Sequence, residues 1–217
     1  ISDDEISGLV SYGSETFVLG KIAGSETNAH VWYQDEDLLL DETFNCEAIA
    51  SEDHEASPKY DAFGSPKTNQ CVRVRVEIDD DIVADFGGTT GATDYVSALF
   101  NQVVTLFAND DIDIALSEVF AWSGSSPYSG SLSNRLGQLD NNSPNADLTA
   151  LITGAGGGGI AFLSGLCSSS FGVSVSGIFG FFNNVPSYSW DVNVVAHELG
   201  HNLSSPHTHN CSWNGNN

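Results

Sequence analysis

Four residues near the C-terminal end of the sequence have types and spacings that suit chemistry. In VVAHELGHNLSSPHTHNC, His197 and His201 lie four apart, Glu198 follows the first of them, and His207 comes six residues after the second. Residues four apart share one face of a helix, with Cβ atoms about 5–6 Å from each other, so His197 and His201 can grip one metal ion from one side. His207 can reach the same ion only if the helix ends soon after His201. Pro206 favours that ending, because it disfavours helical backbone at Ser205. Three neutral imidazoles leave zinc one open tetrahedral position for a water, and the metal lowers that water's pKa toward about 7. Glu198 is badly placed to be a third ligand but can reach the water. It can take the proton and pass it to a leaving amine while the metal steadies the oxyanion. The pattern therefore predicts one zinc ion on His197, His201 and His207, with Glu198 as general base, in a site that hydrolyses peptide bonds. The competing reading is three unrelated histidines, yet three of only six in the chain fall in this register. His209 fits no ligand spacing and reads as an exposed loop residue. His30 and His54 read as structural or surface residues.

The helix that must carry the site is predicted from SWDVNVVAHELGHNL, with Ser189 as N-cap and Asp191 in the first turn. Upstream, CVRVRVEID alternates apolar and polar residues, as a half-buried strand does. TTGATDYVSALFNQVVTLFAND places Tyr95, Val96, Leu99, Val103, Leu106 and Phe107 at helical spacing, with capping groups from Thr89 to Thr93. IDIALSEVFAW, DLTALITG and GGIAFLSGLC read as further strands, GSLSNRLGQLDNN as a short helix, and FGVSVSGIFGFF as more extended chain. Strands alternating with helices predict an α/β layer on a mostly parallel sheet. Residues 1–66 read apart from 67–217. There SETFVLGKI and AHVWYQ are strand-like and joined by the turn-like AGSETN. The polar, proline-containing stretch from Glu47 to Gln70 reads as a linker or exposed loop.

The composition limits the partners. The chain has 217 residues, enough for one domain plus a smaller segment. Six Lys and Arg against 29 Asp and Glu give a net charge of −23, which repels nucleic acid and anionic membrane and excludes both as partners. The acidity reads as solubility in a salty or extracellular medium. Calcium (Ca2+) binding by some Asp groups is the sharper reading, although no stretch matches an EF-hand loop. Leu148 to Trp190 contains no charged residue, but glycines, serines and Pro186 interrupt it, unlike a spanning helix of about 20 apolar residues. Cys46, Cys71, Cys167 and Cys211 form no CxxC pair, which argues against a cysteine zinc cluster. Scattered in so acidic a chain, they point to an oxidising compartment and a secreted protein. There is no methionine, so the sequence is expected to be a processed product or a fragment.

Residues 197–207 match the HExxHxxGxxH signature of the metzincin zinc peptidases except at the glycine, where Ser204 stands. With CVRVRVEIDDDIVADFG, ATDYVSALFNQVVTLFANDDIDIALSEVFAW, GGIAFLSGLC and VVAHELGHN in that order, the chain resembles the reprolysin (adamalysin) branch, especially its secreted bacterial members, over roughly Cys71 to Asn217. The resemblance implies an α/β (α+β) fold, a metzincin-like upper subdomain whose twisted, mostly parallel sheet has an antiparallel edge strand above a zinc-binding helix. It implies that Gly159, Ile160, Ala161, Phe162 and Leu163 pair with an extended protein or peptide substrate; a simple core or edge strand is the alternative. It also implies a methionine turn downstream of His207, so the chain is expected to be the N-terminal portion of a longer protease. Residues 1–66 resemble the end of a propeptide. Cys46 is then the candidate latency ligand for the open zinc position, a disulfide or a buried thiol being the alternatives. Ser204 is expected to cost roughly 1–2 kcal/mol if its backbone is left-handed, partly offset by its hydroxyl. The expected function is a zinc metalloendopeptidase. The alternative is a non-catalytic metal-binding or adhesion module that kept the helix.

Overall fold

Valines at alternate positions of VRVRVEI make the strand around which the sheet is built: Val74, Val76 and Ile78 are fully buried. The computed structural model describes residues 6, 8–12, 15–21, 29–34, 46–50, 71–142, 146–166, 168, 170–180 and 189–207. His54, His209, Cys167, Cys211 and the linker expected over 51–70 lie outside these residues. In chain order the elements are β1 (Gly8–Tyr12), β2 (Glu15–Lys21), β3 (His30–Gln34), β4 (Cys46–Ala50), β5 (Val72–Ile78), α1 (Asp80–Asp85), α2 (Thr89–Asn109), β6 (Ile114–Ala121), α3 (Leu132–Asn142), β7 (Leu148–Thr153), β8 (Gly159–Leu163), β9 (Val173–Gly177) and α4 (Trp190–Asn202). The first three strands form a small antiparallel sheet. The other six form a sheet of order β4-β8-β9-β7-β5-β6. Every neighbouring pair in it is parallel except β8 and β9, which run antiparallel.

The alternation of buried side chains divides the core in two. Val74, Val76, Ile78, Ala150 and Ile152 pack on one face against Val96, Leu99, Phe100 and Val103 of α2 and Val194, Val195 and Leu199 of α4. On the other face Leu151, Ile160, Val173 and Val175 pack against Leu136 and Leu139 of α3. The sheet is thus covered on both faces, as mostly parallel sheets are. Among the described residues no helix is long and apolar enough to cross a membrane.

Three local expectations are corrected. Residues 47–50, read as the start of a linker, belong to strand β4. Its partner β8 is far downstream, so local periodicity could not reveal it. α2 begins at Thr89 with Gly88 in the N-cap position and no side-chain cap, so the threonines do not cap it. Ser189 does occupy the N-cap position of α4, but its hydroxyl makes no capping bond.

The acidic run after β5 turns inward. Asp79, fully buried, is paired with Arg135 of α3 and accepts from the Ser126 hydroxyl. Asp81 accepts from the Thr153 hydroxyl at 2.9 Å. Burial raises the Asp79 pKa, outweighing Ser126 and Arg135, so the carboxylate depends on those partners to stay charged. Removing one partner of a buried pair strands a charge. Arg135→Leu is expected to lower the stability by about 3–5 kcal/mol; a urea midpoint close to the parent's would show that the pair is dispensable.

Candidate metal centre

The site lies at the C-terminal end of α4. The apolar side of that helix, Val194, Val195 and Leu199, is locked into the core, which fixes how far its other face stands from the sheet. His197 and His201 are one turn apart, their ring centroids 4.5 Å from each other. The helix then ends in a Schellman turn, in which the N–H of Ser204 bonds to the carbonyl of His201 and that of Ser205 to the carbonyl of Gly200. Ser204 takes the left-handed position of this turn, with φ at 78°. The signature glycine is replaced by a residue that still adopts the conformation glycine favours. Beyond the turn His207 comes back, its ring 5.3 Å from that of His197 and 4.7 Å from that of His201. One nitrogen from each of the three lies within 4.8 Å of the others.

The surroundings suit a cation held by neutral imidazoles. Burial, helped by the neighbouring His201 and His207, pushes the His197 pKa down to about 4. Burial also lowers that of His201. Nδ1 of His201 lies 2.6 Å from the carbonyl of Ser205. A carbonyl only accepts, so Nδ1 carries the proton and Nε2 keeps its lone pair, the arrangement that orients ligating histidines. The turn that returns His207 therefore also fixes the tautomer of His201. The donor set fits zinc: three imidazoles are the ligands of hydrolytic zinc sites.

Glu198 is fully buried. Its carboxylate lies against the backbone of Gly159 at the start of β8, where an added Cβ would come within 2.3 Å of the Glu198 Oε1. Only glycine leaves room for the carboxylate there. Gly159, Ile160 and Ala161 are buried, while Phe162 and Leu163 are half-buried. Within residues 67–217 β8 ends the sheet, but β4 pairs with its outer side from Cys46 opposite Gly159 to Ala50 opposite Leu163.

Sequence reasoning missed Asn202, and it placed Asp191 in the first turn of α4 without the partners that Asp191 holds. Asn202, fully buried, donates through Nδ2 to the carbonyls of Phe162 (2.9 Å) and Val173 (3.0 Å). The N–H groups of Ser164 and Leu166 bond back to the carbonyls of His201 and Asn202. The histidine-bearing end of α4 is thereby strapped to β8. Asp191, fully buried in the first turn, accepts from Tyr95 Oη at 2.7 Å and from the N–H groups of Phe179 and Gly180 at 2.9 Å. It ties the other end of α4 to α2 and to the preceding loop. A polar residue on an otherwise apolar helix face was the available signal for both.

The sequence model described as Metallo-peptidase family M12 (Reprolysin_5) matches residues 67–216. None of the curated proteins matches the chain.

Two outcomes follow from the geometry. Ser204→Gly relieves a left-handed serine at the cost of a freer unfolded chain, so a net gain of up to about 1 kcal/mol is expected; a lower thermal midpoint would contradict it. In metal-free protein, His197 of the unfolded chain takes up a proton near pH 6.5, whereas the folded one does so only near 4. The stability of that form should fall as pH drops through this window, because the unfolded state binds more protons there. Thermal midpoints in the presence of a chelator check this, and His197→Asn should flatten the slope.

Proposed function

Since the chain belongs to metallo-peptidase family M12, a family of zinc-dependent peptidases, we propose that His197, His201 and His207 hold one zinc ion and that Glu198 is the general base for hydrolysing peptide bonds of a protein or peptide substrate. The observation that carries this reading is the convergence of the three imidazoles beside a buried carboxylate. Zinc, when bound, polarises the scissile carbonyl and makes water acidic enough to lose its proton near neutral pH. Glu198 receives that proton and returns it to the amine as the peptide bond breaks. Gly159 lets the carboxylate lie against β8, so the base is positioned by packing rather than by a flexible side chain. The straps from Asn202, Ser164 and Leu166 keep β8 at a fixed distance from the ligands. That supports Gly159 to Leu163 as the strand that aligns an extended substrate.

Residues 1–66 act in this reading as a propeptide, and the protein works outside the cell. Cys46 is the candidate for the fourth zinc position: its backbone pairs with Gly159, the residue against which Glu198 rests. A thiolate there would exclude the water that Glu198 activates.

Glu198→Ala should retain zinc and lose cleavage of an unfolded protein substrate by roughly 10²–10⁴-fold, whereas His207→Ala should lose the metal. Zinc content by atomic absorption and cleavage by gel separate the two. Undiminished cleavage by Glu198→Ala contradicts the mechanism. Zinc without cleavage in the activated parent would favour a metal-binding module that does not turn over. Gly159→Ala, which displaces the base, should keep zinc and lower turnover at least tenfold; full turnover would show that the Glu198 carboxylate does not need that space.

A further inference from the structure

The face of the sheet that meets α4 changes character along its rows. Across the paired strands β5, β7, β9 and β8, one row runs Ile78, Ile152, Ser176, Gly159, and the next runs Val76, Ala150, Ser174, Ala161. The β5 and β7 members of both rows belong to the apolar core under α2 and α4. On β9 the rows turn polar. Ser174 and Ser176 are buried, and among the described residues no group meets either hydroxyl at hydrogen-bonding distance. Small size alone does not account for them. Alanine would let α4 approach as closely and bring no hydroxyl, whereas burying a hydroxyl without a hydrogen bond costs free energy. A serine in a core therefore points to an acceptor within its reach.

Ser176 has such an acceptor. Gly177 donates its N–H to the carbonyl of Gly158 at 2.8 Å. Gly159 and Ser176 are thus the adjoining non-hydrogen-bonded pair, in which opposed side chains come closest, with Cβ atoms about 4.5–5.5 Å apart. The point where a Gly159 Cβ would stand is 2.3 Å from Glu198 Oε1. The Glu198 carboxylate therefore lies beside the Ser176 side chain, on the same face of the sheet. α4 is held over β9 at both ends, by Trp190 Nε1 on the carbonyl of Gly177 and Asn202 Nδ2 on that of Val173, each at 3.0 Å.

From this we infer that Ser176 is a positioning residue for Glu198: its hydroxyl turns to donate to the carboxylate and fixes the direction in which the base faces the site. The inference rests on the reading of Glu198 as the base. Rotation between staggered positions of the serine brings the hydroxyl over. A carboxylate offers about four acceptor positions, so a bond from the sheet side leaves others for the proton that Glu198 receives. Gly159 makes room for the carboxylate, and Ser176 aims it.

A double-mutant cycle reads the contact without catalysis. Urea unfolding of the whole chain, with a chelator present, is followed for Ser176→Ala alone and together with Glu198→Met, which keeps a long side chain and removes the acceptor. Ser176→Ala should raise the unfolding constant by roughly fivefold or more beyond its effect in the Glu198→Met background. Ser174→Ala, which removes an equally buried hydroxyl opposite Ala161, should have the same effect in both backgrounds. Equal coupling for the two serines, or none for Ser176, overturns the inference. Turnover is the second readout. Activated Ser176→Ala should keep its zinc and its KM and lose kcat by roughly tenfold or more; undiminished kcat, or a loss confined to KM, overturns the inference. The cycle stands even if the protein hydrolyses nothing, so failure of the peptidase reading is seen separately, in the Glu198→Ala assay above.

Discussion

The site depends on a turn. An imidazole pair on one helix face can be assembled by helical geometry alone, but the third ligand requires the chain to stop and reverse within six residues. The Schellman turn at Leu203–Ser205 does this, and it does so with a left-handed serine. The same turn supplies the Ser205 carbonyl that accepts from His201 Nδ1. Backbone reversal and ligand tautomer are thus coupled: a change that straightens the turn removes His207 from the cluster and releases the proton position of His201 together.

The turn is useful only because both ends of α4 are fixed. Asp191 anchors the N-terminal end, where three donors converge on a carboxylate that also sits favourably at a helix N-terminus. Asn202 and the returning bonds from Ser164 and Leu166 anchor the other end to β8. Between them Val194, Val195 and Leu199 bury the helix in the core. The distance from the histidine cluster to β8 is therefore set by packing and hydrogen bonds that span the whole helix. Gly159 completes the fit by letting the Glu198 carboxylate close against that strand.

Much of this was legible in the sequence. The histidine spacing, the proline that ends the helix and the apolar stripe of α4 are local patterns, and local patterns can be read from one chain. The alternation in β5 and the helical spacing in α2 are legible for the same reason. The left-handed backbone at Ser204 was foreseeable from the glycine slot it fills. What escaped notice depends on residues distant in sequence. β4 is a strand because β8 lies beside it; CEAIA carries no strong signal of its own. Asn202 and Asp191 stand out only as polar residues on an apolar helix face; the carbonyls and amides they meet are distant in sequence. Gly159 reads as the start of a strand, but the close approach of the Glu198 carboxylate to it could not be read locally. The expected threonine caps failed because Gly88 already fills the N-cap position and the threonines fall inside the helix.

The placement of β4 gives the N-terminal segment a physical task that its polar composition hid. It completes the sheet by pairing with the side of β8 away from β9. The central claim, however, is the three-histidine centre itself. X-ray absorption at the zinc edge of the zinc-loaded Cys46→Ser chain tests it most directly, since that variant removes the one thiol proposed for the fourth position. The account predicts zinc–nitrogen distances of about 2.0–2.1 Å with outer-shell scattering from three imidazoles. Fewer than three imidazoles around the ion, or no retained zinc, would contradict it.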